Sequence, residues 1–180
     1  MTERMLLFVR HAESIWNAER RWQGWGDPRL SERGLEQAAA LAARLGGDPV
    51  EAIVSSDLRR ALETAQILAD ALGVGVRTDL RLRERDIGRW SGLREAEIAA
   101  LDPADLVRLR SGDPGVRPGG GESEGEFAAR VAPALSDLAE AAGRFVVVTH
   151  LGVIRRIAPW VRPANADAVE VPVSALRAAS

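Results

Sequence analysis

The chain has 180 residues, 46% of them apolar, and its 24 basic and 26 acidic side chains leave a net charge of −2. That length and apolar content suffice for one buried core, and charges interleaved in this way exclude nucleic acid or an acidic membrane as the expected partner. The absence of cysteine excludes disulfide scaffolds, thiolate metal sites and thiol nucleophiles, and it fits a reducing compartment.

Four consecutive apolar residues, Leu6–Val9, form the first expected element. Lacking polar alternation, they read as a strand buried on both faces of a parallel sheet, where ligand sites lie beyond the carboxyl ends of the strands. Arg10 and His11 stand at that end. An imidazole can take up a phosphoryl group at neutral pH and a guanidinium fork can grip its oxygens. An isolated Arg-His pair reads more simply as a solvated turn, so the remaining sequence must decide.

Arg20–Leu30 combines Trp22 and Trp25 with Gly24, Gly26 and Pro28 beside Gln23. This is loop chemistry with an aromatic payload that either lines a pocket or covers core edge. Ser31 is placed to cap a helix in which Leu35, Ala38, Leu41, Ala42 and Leu45 recur at helical spacing until Gly46-Gly47. Ala52–Val54 is a second short strand. Asp57 is then expected to cap a helix with Leu58, Ala61, Leu62, Ala65, Leu68, Ala69 and Leu72 on its apolar face. Arg60, in its first turn, reaches the same sheet edge as His11, whereas Arg59 points elsewhere. Taken alone, Arg60 would pass for a solvated surface arginine.

Val74–Val76 and Leu80–Arg83 lead into Glu84–Gly92, a glycine-punctuated loop carrying Trp90. Flanked by Arg83 and Arg85, an exposed Glu84 would be a salt-bridged carboxylate of little consequence. Arg94–Leu109 has irregular helical patterning broken at Pro103, and Ser111–Gly121 reads as a mobile loop or small cap edge. Glu126–Ala142 is an amphipathic helix. Phe145–Val148 is a second fully apolar strand, and it runs into Thr149-His150-Leu151-Gly152. The only two histidines of the chain therefore stand at the carboxyl ends of its two most apolar strands. Scattered structural histidines would not choose those two places, and the coincidence favours catalysis.

Arg10-His11-Ala12-Glu13-Ser14-Ile15-Trp16-Asn17 resembles the opening motif of the histidine phosphatase superfamily, in the branch that includes the cofactor-dependent phosphoglycerate mutases. The resemblance continues through Leu30–Gly34, Ser55–Ala65, Leu82–Gly92, Gly120–Ser123 and Val147–His150, in the family's order and over nearly the whole chain. Departures are Ala12 in place of the usual glycine, Leu151 where a glycine commonly follows the second histidine, and a short carboxyl-terminal tail. A side chain at Leu151 would narrow the pocket or alter the backbone approach to phosphate.

The resemblance implies a three-layer α/β fold, phosphoglycerate mutase-like, with a mostly parallel central sheet and helices on both faces. It implies one domain over residues 1–180, with a cap-like insertion around residues 94–121. By the same resemblance His11 becomes phosphohistidine, Arg10, Arg60 and His150 bind the phosphoryl oxygens, Asn17 adds a donor, and Glu84 protonates the leaving alcohol. Trp22, Gln23, Gly24, Trp25, Trp90 and Leu151, with the loop at Ser111–Gly121, are expected to shape the substrate side.

Phosphoryl transfer needs positioning and charge stabilisation, which two guanidiniums and an imidazole supply without metal or cofactor. The expected activity is hydrolysis of a small phosphate ester, because the small cap is a poor seal for the closed pocket a mutase needs. A phosphoglycerate mutase and, less favoured, a protein phosphohistidine phosphatase are the alternatives. A non-enzymatic binding module is disfavoured by the joint presence of His11, Arg10, Arg60, Glu84 and His150. A homodimer is left open. With no apolar run of 18 residues, and Met5–Val9 too short for a signal-peptide core, the expected location is the cytoplasm.

Overall fold

A computed structural model describes residues 3–46 and 49–179. Strands β1 (Met5–Arg10), β2 (Ala52–Ser55), β3 (Gly75–Thr78), β4 (Phe145–Thr149) and β5 (Ala168–Pro172) form one sheet in the order β3-β2-β4-β1-β5. The first four run parallel, and β5 closes the β1 edge antiparallel. The expected layered α/β fold is borne out. The sequence reading did not anticipate β5, whose exposed, half-buried and buried positions give it no continuous apolar run.

Alternate residues of each strand face opposite sides, and each side is covered by helices. Leu6, Phe8 and Val147 pack beneath Phe127, Val131 and Leu135 of α6 (Glu124–Glu140), together with α7 (Leu151–Ile157) and α8 (Val173–Ala178). Leu7, Val9, Ile53, Val146 and Val148 face α2 (Glu32–Leu45) and α3 (Arg59–Leu72). Each fully buried Leu, Val or Phe contributes roughly 1.5–3 kcal/mol, so both faces anchor the strand ends that carry the site.

The caps show where the sequence reading held and where it did not. Ser31 caps α2 through Gly34 N–H, as expected, while Gly47, the second of the glycines expected to stop it, lies outside the described residues. Asp57 does not cap α3: the N-cap is Leu58, and the Arg59 N–H is taken by Asp27 Oδ1 at 2.6 Å. Arg83 claims the Asp57 carboxylate, with Nε to Oδ1 at 2.7 Å. α6 begins two residues before its expected start because Ser123 and Glu126 form a capping box there.

The irregular helical patterning over residues 94–109 resolves into two helices, α4 (Glu95–Leu101) and α5 (Pro103–Arg110), divided at Pro103 as expected. Trp90, Ile98 and Leu106 are buried together, and Trp22, Leu93 and Leu109 pack against them. Ser111–Gly121 is a packed edge rather than a loose loop. Its Val116 is buried, the Val116 carbonyl accepts Arg85 NH2 at 2.8 Å, and Gly119 abuts the backbone of Ile87 to Trp90.

Candidate active site

Strand register brings the two histidines together. Arg10 on β1 pairs with Thr149 on β4, so His11 and His150 leave the sheet side by side, their ring centroids 5.2 Å apart. α3 follows β2 and lays Arg60, itself buried, against them: Arg60 Nε donates to His11 Nε2 at 3.3 Å. Its other two nitrogens donate to Gly26 O and Gly24 O at 2.8 Å each, which ties the Trp-bearing loop to the histidine pair. Arg59, one step round the helix, pairs instead with Glu63 at 2.7 Å.

The tautomer of His11 follows from its neighbours. Nδ1 lies 2.8 Å from Ala12 O, and a carbonyl only accepts, so Nδ1 carries the proton and Nε2 keeps its lone pair. Burial first, then the charge of Arg60, holds the His11 pKa well below its ordinary value; the bond to Ala12 O pulls the other way, and the Arg10 charge adds a smaller lowering. The ring is therefore neutral at physiological pH. His150 is lowered for the same reasons, burial first and then Arg60. Its Nε2 sits 2.9 Å from Ser56 Oγ, while its Nδ1 and the Nε of Arg10 are buried without a hydrogen-bond partner among the described residues. Arg10 is steered by NH1 donating to Pro163 O at 2.9 Å. Arg60 is pushed down to about 10, chiefly by burial, and so remains a cation at neutral pH.

Glu84 approaches from the loop after β3. Its Oε2 accepts Gly152 N–H at 3.0 Å and its Oε1 accepts Arg85 N–H at 2.9 Å. The backbone carbonyl of Glu84 is held by Trp25 Nε1 at 2.8 Å and Arg130 NH2 at 3.0 Å. A Cβ on Gly152 would come within 2.0 Å of Glu84 Oε1. A side chain at residue 152 would therefore force the Glu84 carboxylate, the free end of a flexible side chain, to shift. Leu151, by contrast, begins α7 half-buried and forms part of the cleft wall.

A cleft of about 920 Å³ opens over these groups, and Arg10, His11, Arg60, Glu84, Trp22 and Gln23 all line it, as do Gly24 and Leu151. Trp90, Trp25 and Asn17, expected at the site, do not line the cleft. Trp90 is fully buried, edge-on to Trp22, with Nε1 donating to Asp102 at 2.6 Å, so it is core of the small helical layer. Trp25 stands behind Glu84, with the Arg83 guanidinium 4.9 Å over its ring. Asn17 closes a capping box at the start of α1 (Ile15–Ala18), where its Oδ1 accepts Ser14 N–H at 3.1 Å. Aromatic rings beside glycines carry no sign of which side of a loop they face.

The sequence reading missed Arg85, Arg155 and Arg156, which also line the cleft, and Ser56, which holds His150. The available signal was position: Arg155 and Arg156 follow His150 on the helix that starts at the end of β4. With Arg10, Arg21 and Arg60 they place six arginines around the cleft against Glu84, Asp113 and Glu124. Such a surface attracts an anion.

Residues 6–172 match the histidine phosphatase superfamily (branch 1), and the chain belongs to that family. It is 41% identical over 163 residues to phosphoglycerate mutase-like protein 4 of Arabidopsis thaliana, covering 88% of this chain and 71% of the relative. It is 44% identical over 138 residues to glucosyl-3-phosphoglycerate phosphatase of Mycobacterium tuberculosis, covering 77% of this chain and 61% of the relative, so the match spans less than two thirds of that protein. Among solved structures, a mycobacterial glucosyl-3-phosphoglycerate phosphatase in complex with VO3 superposes with a TM-score of 0.82 at 36% identity, covering 93% of this chain and 92% of the other.

Proposed function

We propose that this chain is a metal-independent, cytoplasmic phosphomonoesterase that hydrolyses a small phosphorylated metabolite through a phosphohistidine on His11. The observation that carries this reading is the His11 ring: neutral, fixed with its proton on Nδ1, and presenting the Nε2 lone pair beside the Arg60 guanidinium. The family and the phosphatase names among its relatives support it. No helix among the described residues is long and apolar enough to cross a membrane.

In the first half-reaction the substrate phosphoryl group meets Arg10, Arg60 and His150, whose N–H groups take its non-bridging oxygens. His11 Nε2 attacks phosphorus in line, the N–P bond forms, and the P–O bond to the leaving alcohol breaks. Glu84 supplies the proton that turns the departing alkoxide into an alcohol, a role typically worth roughly 10²–10⁴-fold. In the second half-reaction Glu84 takes a proton from water, the water oxygen bonds to phosphorus, and His11 leaves as neutral imidazole. Donors held in place before the reaction stabilise the charge on the phosphoryl oxygens in both steps.

The cleft volume exceeds what a phosphoryl group fills and its rim is rich in arginine, which supports a substrate with polar or anionic character beyond the phosphate. Glucosyl-3-phosphoglycerate, named in the mycobacterial relatives, is the first compound to assay. The names of the Arabidopsis relative and of the probable phosphoglycerate mutases at 39% identity favour a second reading as a mutase. The segment over residues 94–121 is proposed as the cap, and it is small: two short helices and a packed edge. Under the hydrolase reading water reaches phosphohistidine before the alcohol rebinds. The test is a panel of phosphate esters assayed for released phosphate, with 2-phosphoglycerate formation from 3-phosphoglycerate followed in parallel, with and without 2,3-bisphosphoglycerate. Phosphate release from panel members without excess isomer supports the hydrolase. An isomer-to-phosphate ratio well above one in the primed reaction would promote the mutase.

A further inference from the structure

The carbonyl that fixes the His11 proton is itself held in place, by two side chains outside the cleft. Ala12 is buried, and its C=O receives Nδ1–H of His11. That carbonyl shares a planar peptide group with the N–H of Glu13, so whatever holds the N–H sets the direction of the C=O. Gln37 on α2 holds it: its Oε1 accepts Glu13 N–H at 2.9 Å. On the other side of Ala12, the N–H of Ala12 donates to Thr64 Oγ1 on α3 at 3.0 Å. The Thr64 hydroxyl proton is committed to Arg60 O at 2.7 Å, so its oxygen is the acceptor for Ala12. Thr64 is fully buried, and neither it nor Gln37 lines the cleft.

We propose that Gln37 and Thr64 are positioning residues that lock His11 in its Nδ1–H tautomer by clamping the two peptide groups flanking Ala12. The inference rests on the reading of His11 as nucleophile. Without the clamp the Ala12–Glu13 peptide can turn, Nδ1 loses its acceptor, and the proton can move to Nε2. That tautomer has no lone pair at Nε2 and sets its N–H against the Nε–H of Arg60. The two helices packed on one face of the sheet thereby select the reactive form of a residue that belongs to a strand end. An i to i−4 bond from Thr to a helix carbonyl is ordinary; the bond that Thr64 accepts from a different element is the informative one.

The test is imidazole 15N spectroscopy of the histidine-labelled protein, whose two histidines are assigned with the aid of a His150→Gln spectrum. Wild-type His11 is expected to be a neutral, single Nδ1–H tautomer. Gln37→Leu and Thr64→Val are expected to admit the Nε2–H tautomer and to lower kcat/KM tenfold or more, towards the roughly 10⁴-fold cost of a wrong tautomer in hydrolytic triads. Thr64→Ser, which restores the acceptor, should recover both the spectrum and the rate. Should Thr64→Val fail to fold, Gln37→Leu at its half-buried site carries the test alone. A wild-type His11 already bearing its proton on Nε2 overturns the proposal. So do variants that lose stability while the His11 spectrum and the rate per folded molecule stay unchanged. Because the spectrum needs no substrate, a tautomer shift in a protein that releases no phosphate from any ester would count against the phosphatase reading and not against the clamp.

Discussion

The Nε–H of Arg60 meets Nε2 of His11 across 3.3 Å, and this is the nitrogen that would attack phosphorus. A guanidinium facing an imidazole lone pair does two things. It opposes protonation of the ring, consistent with the low pKa imposed mainly by burial, and it marks where anionic oxygens must arrive. Under the proposed mechanism an incoming phosphoryl group would exchange the Arg60–His11 contact for Arg60–oxygen bonds and free the lone pair for the new N–P bond.

Gly152 tests the placement of the acid. A methyl group there would collide with Glu84 Oε1, whose side chain is otherwise held by backbone N–H groups of Gly152 and Arg85. Gly152→Ala is expected to displace the carboxyl and to lower kcat by about 10² or more, within the span attributed to a positioned general acid. Leu151→Gly should change KM more than kcat, since Leu151 only forms wall. Steady-state kinetics on both variants checks this; a fully active Gly152→Ala enzyme would show that the Glu84 carboxyl does not depend on the Gly152 contact for its position.

The buried histidines make stability depend on pH in a defined direction. Both folded-state pKa values lie well below the ordinary 6.5, so the folded form stays neutral where the unfolded chain takes up protons. Stability is complete above that value and is lost as pH falls below it, by up to about 1.4 kcal/mol per pH unit for each histidine. Denaturant unfolding between pH 7 and 5.5 measures the slope. His150→Gln should reduce it by the share of one proton, and an unchanged slope would contradict the buried neutral state.

Trp90 belongs to the core. Trp90→Ala is expected to cost about 3–5 kcal/mol, the usual range for deleting a large buried aromatic, and to strip Asp102 of an indole donor. Trp22→Ala, at the cleft, should alter substrate discrimination as well. Thermal melting and KM for two esters, measured side by side, separate the two tryptophans.

Metal chelation should leave turnover intact. The described residues contain no group of three or more His, Cys, Asp or Glu side chains able to hold an ion, and the proposed steps use guanidinium, imidazole and carboxyl groups alone. Activity abolished by EDTA and restored by a divalent cation would require a different mechanism.

Features that depend on strand order and apolar runs were legible in the amino-acid sequence. Leu6–Val9 and Phe145–Val148 announce the two central strands, and their ends place His11 and His150 on one edge of the sheet. Arg60 followed from helix phase. What was illegible depended on partners distant in the chain. Asp57 has the composition of a cap, but Arg83 competes for it and Asp27 replaces it. Trp90 looks like a loop aromatic until Ile98 and Leu106 close over it. Gln37 and Thr64 lie on helices read only for their apolar faces, so the polar residues that reach Ala12 and Glu13 carried no signal.

The central claim is that His11, and no other residue, carries the phosphoryl group. Mixing the enzyme with a hydrolysed ester, quenching within milliseconds under alkaline conditions that preserve phosphohistidine, and mapping the adduct by mass spectrometry tests it directly. The expected result is an acid-labile phosphate on the peptide containing His11, retained at reduced rate in His150→Ala and absent in His11→Ala. An adduct on His150, or one that persists in the His11→Ala protein, would contradict the account.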